Sequence, residues 1–296
     1  MFCAKAKRMV WNVFLFLLPL LHDTSAAQWY NVFKNQEFYG TTIFSIISLC
    51  LPECLSRCDH NDQCVAAMYG KLTAKCTGLS AEGELMNGKI NGDVDTCVKY
   101  DQWITAFIGQ AGIGKKVYTE WVGASFTSVD SKYEPSCNCH YKSELVEKWP
   151  TSGIQKVKMS VISSNAEVAY MSFNGKDTDK MSWFSAQHLL NSSWTDLKGG
   201  PHNIFSIKGD DVTRNGHPHG RRFFVNKGYG GCDRDYGWLM VLDTAGPSTD
   251  CYKAYEKPPI PGILYPASGT STIWKQAKRA DSFKIYVQVR LLTNGP

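Results

Sequence analysis

The sequence predicts a small disulfide-stapled α+β module followed by an all-β domain, an antiparallel β-sandwich of jelly-roll-like character. Two observations predict this order. Six of the 11 cysteines lie between positions 50 and 97, and cysteine density then falls sharply. Beyond position 102 the apolar residues follow a strand-type pattern, most clearly near the C-terminus. We expect the first module at 27–101 and the second at 102–296.

The first 26 residues have the composition of a signal peptide. Lys5, Lys7 and Arg8 form a basic segment, and an apolar run follows at 9–21. This run is shorter than the roughly 20 residues that a membrane-spanning helix needs. Small residues at 24–27 supply a cleavage site. We therefore expect a secreted, extracellular protein whose mature form does not span a membrane.

Charge and cysteine content narrow the function classes. The leader carries a net +2 of the chain's +5, so the mature protein has a net charge of +3. That charge is too small and too dispersed to indicate nucleic-acid binding. Ten cysteines remain after removal of Cys3, and an even number in a secreted chain indicates disulfides rather than metal thiolates.

The stretch from Cys50 onward predicts a short helix cross-linked to a sheet. Pro52 suits the first helical position, and Glu53 favours the positive end of the helix dipole. A helix beginning there places Cys54 and Cys58 four residues apart, on one face. The segment 64–69 reads as a buried strand, 28–47 supplies the first strands, and 96–100 closes the module.

The cysteine spacing in this module is similar to that of PAN/Apple domains. Cys54-x3-Cys58-x5-Cys64, with Cys76 after a strand and turn, carries the resemblance. The resemblance implies one helix on a small antiparallel sheet. It also implies the disulfides Cys54–Cys76 and Cys58–Cys64.

The same resemblance implies a third bridge and a kind of function. Apple domains join the ends of the module by a disulfide, which here would be Cys50–Cys97, although Cys50 lies only four residues before Cys54. Domains of this family are adhesion modules for proteins or carbohydrates and carry no catalytic residues. The order of residues in the second module resembles uncharacterised secreted proteins and implies no activity.

The second module reads as strands joined by turns. A hairpin is predicted at 155–173, with its turn at 164–166, and two strands at 221–226 and 238–243 flank a glycine-rich loop. The last strand alternates apolar and polar residues from Ser282 to Leu291, as expected when one face is buried. Two brief helices are predicted at 144–149 and 185–190.

Three sequence patterns approach known chemical sites and fall short of them. Residues 109–116 approach the phosphate-loop pattern, but Lys116 replaces the Ser or Thr that holds magnesium, and 117–121 reads as a strand. His217 and His219 are spaced for a metal, yet proline and glycine around them indicate a loop. Asp177-Thr-Asp179 lacks the ligand run of an EF-hand. We expect no catalytic residue, metal site or cofactor.

The best binding candidate is the loop at 228–238. It combines aromatic residues, both signs of charge, and glycines that let a ligand approach the backbone. The alternative is a hairpin connection with incidental aromatics. The residues that we expect to contact a ligand are Tyr229, Asp233, Arg234, Asp235 and Tyr236.

A glycosylation acceptor lies in the same module. Asn191-Ser192-Ser193 matches the N-glycosylation pattern, so we expect Asn191 at the surface and modified.

Four further cysteines, at 137, 139, 232 and 251, allow three pairings. A strand out and a loop back would bring Cys232 and Cys251 to one edge of the sheet, so we favour that bridge. The partners of Cys137 and Cys139 stay open: each other, or Cys50 or Cys97.

The sequence therefore predicts a secreted, non-catalytic, lectin- or adhesion-like protein that recognises an extracellular glycan or protein. The first alternative is a matrix or structural interaction protein that binds no sugar. The second is a secreted hydrolase, for which the sequence offers no Gly-x-Ser-x-Gly or His-Glu-x-x-His motif. The sequence does not determine the ligand or the oligomeric state.

Overall fold

The computed structural model describes residues 30–80, 85–99, 102–125, 138–214, 217–244 and 250–290. The predicted signal peptide and Cys137 lie outside these ranges. The described residues form two compact units. The first comprises residues up to 84 together with 89–102, and the second comprises 85–88 together with residues from 103 onward. The division at 102/103 lies next to the predicted boundary, whereas the grouping of 85–88 with the second unit was not expected.

The first unit is a mostly antiparallel sheet with one helix, and its main sheet has the strand order β1-β7-β4-β5-β3. Its elements, with β6 crossing the division between the units, are β1 (Tyr30–Phe33), β2 (Gln36–Tyr39), β3 (Thr42–Ile47), α1 (Leu51–Asp59), β4 (Cys64–Gly70), β5 (Lys75–Ser80), β6 (Leu85–Ile90) and β7 (Val94–Lys99).

Helix α1 begins and docks as its sequence dictates. Pro52 lies in its first turn. The Glu53 carboxylate accepts a hydrogen bond from the Leu49 backbone N–H at 2.9 Å, which fixes the chain just before the helix. Cys54 and Cys58 are its buried residues. The disulfides Cys54–Cys76 and Cys58–Cys64, the pairs expected from the sequence, tie this face to β5 and to the start of β4.

The expected Cys50–Cys97 bridge is wrong. Cys97 is a free, buried thiol, whereas Cys50 is disulfide-bonded, as is Cys139. Cys97 lies in the middle of β7, opposite Val32 of β1 and Ala67 of β4. Cys50 precedes α1 as its N-cap residue. A cysteine enclosed between two neighbouring strands in this way is held as a small apolar core residue.

We expect Cys97 to be chemically inert in the folded protein. Burial raises the pKa of its thiol to about 12, so almost no reactive thiolate exists at neutral pH. Iodoacetamide at pH 7.5 should leave the Cys97 peptide unmodified in native protein and alkylate it fully in urea. Mass spectrometry of the peptides measures both. Rapid labelling without urea, or a Cys97 disulfide, would contradict this assignment.

The second unit contains two sheets. The first has the strand order β12-β11-β10-β20-β8-β6, with β9 beside β8. Its pairs are antiparallel except β6 with β8. The further elements of this sheet and the helices near it are β8 (Ile104–Gln110), α2 (Val117–Val122), β9 (Tyr141–Lys142), α3 (Glu144–Glu147), β10 (Ile154–Ser163), β11 (Ala166–Asn174), β12 (Leu189–Ser192) and β20 (Ser282–Val289).

The other sheet is antiparallel, with the strand order β13-β15-β16-β17-β19; β14 also pairs with β15 and β18 with β16. Its elements are β13 (Ile204–Ser206), β14 (Asp210–Arg214), β15 (His217–Gly228), β16 (Tyr236–Thr244), α4 (Asp250–Ala254), β17 (Gly262–Tyr265), β18 (Thr272–Ile273) and β19 (Lys278–Ala280). A 3₁₀ turn at Trp274–Gln276 follows β18.

Aromatic side chains fill the space between the two sheets. Phe173 of β11 meets Phe205 of β13 at a centroid distance of 6.0 Å, and Phe223 of β15 meets Phe283 of β20 at 5.1 Å. Trp121 of α2 packs against Phe223 at 5.6 Å. The unit is therefore β-rich with sandwich-like sheets that share one core. Its jelly-roll character stays a prediction.

Two strand predictions rest on strong local signals and are confirmed. In the hairpin of β10 and β11, Ser164 and Asn165 both have positive φ, as a tight two-residue turn requires. In β20, Phe283, Ile285, Val287 and Val289 are buried on one face. Among the described residues, no helix has both the length and the apolar character needed to cross a membrane.

Three local predictions are wrong. The segment read as a strand at 117–121 is helix α2, because the Asp243 carboxylate accepts hydrogen bonds from the N–H groups of Val117 and Tyr118 at its first turn. The helix expected at 185–190 is a turn leading into β12. From His217 onward the expected loop is part of β15, whose pairing with β14 places Pro218 opposite Thr213.

Candidate functional site

The predicted binding loop forms a tight turn at residues 230–234, which we call the 230–234 turn. It lies between the end of β15 and the start of β16. The backbone N–H groups of Arg234 and Asp235 both donate to the Gly231 carbonyl, at 2.7 and 2.8 Å. Gly231 has φ +84°, a left-handed conformation that favours glycine.

A disulfide fixes this turn to helix α4. Cys232 bonds Cys251, with 4.7 Å between their Cα atoms. This is the pairing favoured from the sequence. The bridge anchors the turn to the helix that carries Lys253, so that the two chain segments hold a fixed relation to each other.

Asp235, expected to contact a ligand, instead holds the turn from beneath. Its side chain is buried, with 4% of its surface exposed. It accepts hydrogen bonds from the Gly230 N–H at 2.9 Å and from the Tyr255 hydroxyl at 3.0 Å. A buried carboxylate needs such donors, and these two hydrogen bonds offset the cost of burying it. Asp235 is therefore a structural residue.

A buried ion pair supports the same network. The Arg221 Nε donates to Glu256 at 2.6 Å, and both side chains are almost fully buried. Arg221 also contacts the Tyr255 hydroxyl at 3.4 Å. Burial raises the pKa of Tyr255, and the nearby Glu256 and Asp235 carboxylates add to this, so the phenol stays protonated and donates to Asp235.

Above the braced turn lies an open cavity of about 580 Å³, which we call the turn cavity. This volume is within the usual range of small-ligand sites, roughly 300–1,000 Å³. The lining residues come from the turn, from α4 and from the 3₁₀ turn; they are Gly230, Gly231, Cys232, Asp233, Arg234, Lys253, Ala254 and Lys275.

The charged groups of the turn cavity are exposed and make few hydrogen bonds or ion pairs within the described part of the chain. Lys275 donates to Asp233 at 2.9 Å, with both side chains more than half exposed. Arg234 donates through Nε to the Gly230 carbonyl at 3.2 Å. In the described part of the chain, no residue pairs with the ammonium group of Lys253. The cavity therefore offers three cations and one carboxylate to a ligand.

The two predicted tyrosines do not line the turn cavity. The Tyr229 hydroxyl donates to Asp210 at 2.6 Å, and its ring faces the Arg221 guanidinium at 5.6 Å. The Tyr236 ring lies beside Gly228, 6.0 Å from the Lys227 ammonium. Of the five predicted ligand-binding residues, only Asp233 and Arg234 line the cavity.

Sequence reasoning missed Lys253 and Lys275. The only signal for Lys253 was its position two residues after Cys251. The Cys232–Cys251 bridge places that cysteine beside the turn. Nothing local marks Lys275, because it reaches the cavity through the fold, from a segment 41 positions beyond Arg234.

In the near-match to a phosphate loop, two glycine N–H groups already have hydrogen-bond partners. The Gly112 and Gly114 N–H groups donate to the carbonyls of Pro261 and Ile260. The first N–H groups of α2 are held by Asp243, a carboxylate in the place where a phosphate would bind. This loop is therefore a structural connection.

Serine–histidine chemistry finds little support. Ser185 and His188 lie 3.0 Å apart within one turn, but the same ring nitrogen of His188 also contacts the Ser182 carbonyl. In the ranges described, no carboxylate contacts this ring to orient it, as a catalytic triad would require. Within the same ranges, no three or more His, Cys, Asp or Glu side chains form a metal-binding group.

Asn191 lies on β12 and is exposed, so the glycosylation acceptor is at the surface. Its side-chain amide donates to the Tyr170 hydroxyl at 3.2 Å. Modification of Asn191 stays a prediction.

Comparison of the chain with protein-family models finds no match, and neither does comparison with curated proteins.

Proposed function

We propose that the protein is a secreted, non-catalytic recognition protein that binds carbohydrate through the turn cavity. The observation that carries this proposal is an open, polar cavity on a turn whose position is fixed by a disulfide and a buried network. A site with fixed backbone and exposed donors loses little conformational entropy when a ligand binds. Sugars present many hydroxyl groups, which both donate to carboxylates and accept from cationic donors.

Two features support the extracellular setting. The three disulfides with described partners are compatible with an oxidising compartment. The helix stapled to an antiparallel sheet in the first unit supports the PAN/Apple resemblance, whereas the free Cys97 departs from it. We propose that this unit is an Apple-like adhesion module and that the second unit carries the sugar site.

A glycan array tests the proposal. The secreted protein should bind a subset of immobilised glycans, and the double variant Arg234→Ala/Lys275→Ala should lose at least about tenfold in affinity, since two charged donors are removed. Lys176→Ala is the matched control, because Lys176 is an exposed lysine of the same unit that does not line the cavity. Equal binding by the double variant would place any sugar site elsewhere.

The second candidate function is binding to another protein, without sugar binding. Large apolar side chains are exposed on the first unit: Ile47 by 73%, Leu49 by 82% and Leu72 by 89%. The Ser48 N–H donates to the Ala74 carbonyl at 2.8 Å, so the two segments that carry these residues adjoin. Exposed apolar groups that adjoin often mark protein contacts. An array without any bound glycan would favour this function.

A further inference from the structure

We propose that the turn cavity recognises the negatively charged groups of an acidic glycan, carboxylate or sulfate, rather than a neutral sugar. This inference rests on the proposed function and names its ligand class. The cavity lining carries three cations, Arg234, Lys253 and Lys275, against the single carboxylate of Asp233. Its net charge of +2 favours an anion.

The three cations converge from separate parts of the chain. Arg234 belongs to the turn, Lys253 to α4, and Lys275 to the 3₁₀ turn at Trp274–Gln276. Like charges that line one cavity repel each other, and this repulsion is relieved when an anion binds between them. The fold therefore brings three positive charges to one cavity. Among the described residues, only the Lys275 ammonium has a carboxylate partner.

The backbone of the turn offers a second kind of donor. The N–H groups of Arg234 and Asp235 are used within the turn. The N–H groups of Cys232 and Asp233, its central residues, donate no hydrogen bond within the part of the chain that the structure describes. Successive free N–H groups in a turn form a concavity that binds anions. Since these residues line the turn cavity, the backbone and the cations serve the same ligand.

The aromatic residues point to the same ligand class. Neutral sugars are commonly held by stacking on an aromatic face, yet Tyr229 and Tyr236 do not line the cavity. Asp233 favours a glycan over an acidic peptide, because the hydroxyl groups of a glycan can donate to its carboxylate, whereas ionised acidic side chains have no donor to offer. The exposed Lys275–Asp233 pair is weak and can open for the ligand.

Matched polymers with one backbone provide the test: dextran, carboxymethyl-dextran and dextran sulfate. Binding of the secreted protein is measured by isothermal titration calorimetry at 50 and 300 mM NaCl. We expect at least one of the charged polymers to bind, dextran not to bind, and higher salt to weaken the interaction. Comparison of the two charged polymers separates carboxylate from sulfate recognition.

Variants connect this binding to the cavity. Arg234→Gln, Lys253→Gln and Lys275→Gln should each raise the Kd about threefold to tenfold. Asp233→Asn should lower the Kd, because it removes the competing carboxylate and releases Lys275; a purely structural role would not produce this gain. All four side chains are exposed, so the variants should keep the urea midpoint of the parent protein. Lys176→Gln is the control for nonspecific charge.

The possible failures are distinguishable. Equal binding of dextran would overturn the anionic assignment while leaving sugar binding intact. An equal loss in Lys176→Gln would overturn the assignment of anion binding to the turn cavity. No binding of any polymer together with an empty glycan array would overturn the proposed function as well. Binding of poly-glutamate that depends on the same three cations, without binding of the dextrans, would identify an acidic protein as the partner and refute the glycan.

Discussion

Replacing Glu256 with leucine is expected to lower the free energy of unfolding of the second unit by about 3–5 kcal/mol. The substitution preserves much of the side-chain volume but leaves the Arg221 guanidinium buried without its carboxylate. An uncompensated buried charge costs far more than a lost surface ion pair. This is the largest effect that we expect from a single substitution.

The matched control is the double variant Arg221→Met/Glu256→Leu. It removes both charges, so no buried charge is left unpaired, and it should recover most of the lost stability. Urea unfolding followed by tryptophan fluorescence measures both variants. The signal reports on the second unit, because its core holds the fully buried residues Trp121, Trp149, Trp183, Trp238 and Trp274. A single variant as stable as the parent would refute the role given to this pair.

Removing the Cys54–Cys76 disulfide is expected to cost about 3 kcal/mol and to reduce secretion sharply. The bridge closes a loop with a sequence separation of 22 residues, which restricts the unfolded chain. A small module buries too little apolar surface to tolerate this loss easily. Cys54→Ala/Cys76→Ala avoids a leftover thiol and makes the effect interpretable.

Two variants calibrate this result. Cys58→Ala/Cys64→Ala opens a loop with a separation of only 6 residues, so the expected cost is smaller, about 2 kcal/mol. Cys97→Ala removes a buried thiol that closes no loop and should cost about 1 kcal/mol. The measurements are the secreted yield and the urea midpoint of the first unit. If Cys54→Ala/Cys76→Ala were secreted as well as Cys97→Ala, the bridge would not be needed for folding.

Local signals predicted those elements whose stability is decided locally. Pro52 and the spacing of Cys54 and Cys58 predicted α1, because a helix start and a four-residue spacing are properties of neighbouring residues. The alternation in β20 predicted its buried face for the same reason.

The failures involve partners that are distant in sequence. The Val, Tyr and Trp residues of 117–121 favour a strand, but the carboxylate of Asp243, 126 positions after Val117, stabilises the first turn of a helix there. Cys97 could not be identified as the free cysteine of its module by spacing alone. The choice depends on its position between β1 and β4.

The sequence predicted the turn at the centre of the candidate site, but it did not predict Lys253 and Lys275, which reach the cavity from other segments. Glycines, charge and Cys232 marked the 230–234 turn, and the bridge to Cys251 follows from the strand between them. Which acidic residue faces inward depends on Tyr255, a residue of the segment after α4. Asp233 and Asp235 lie on either side of Arg234, and only the fold separates the exposed carboxylate from the buried one.

Strand β12 has a consequence for how the protein can be produced. It is the outermost strand of its sheet in the described part of the chain, and an outer strand can recruit a strand from another molecule. Leu190 is 44% exposed there, although Lys198 already binds its carbonyl. A bulky, hydrated sugar chain on Asn191 would cover this edge and block the approach of another strand. Protein made in a host without N-glycosylation would then expose the edge and aggregate, even with every disulfide formed.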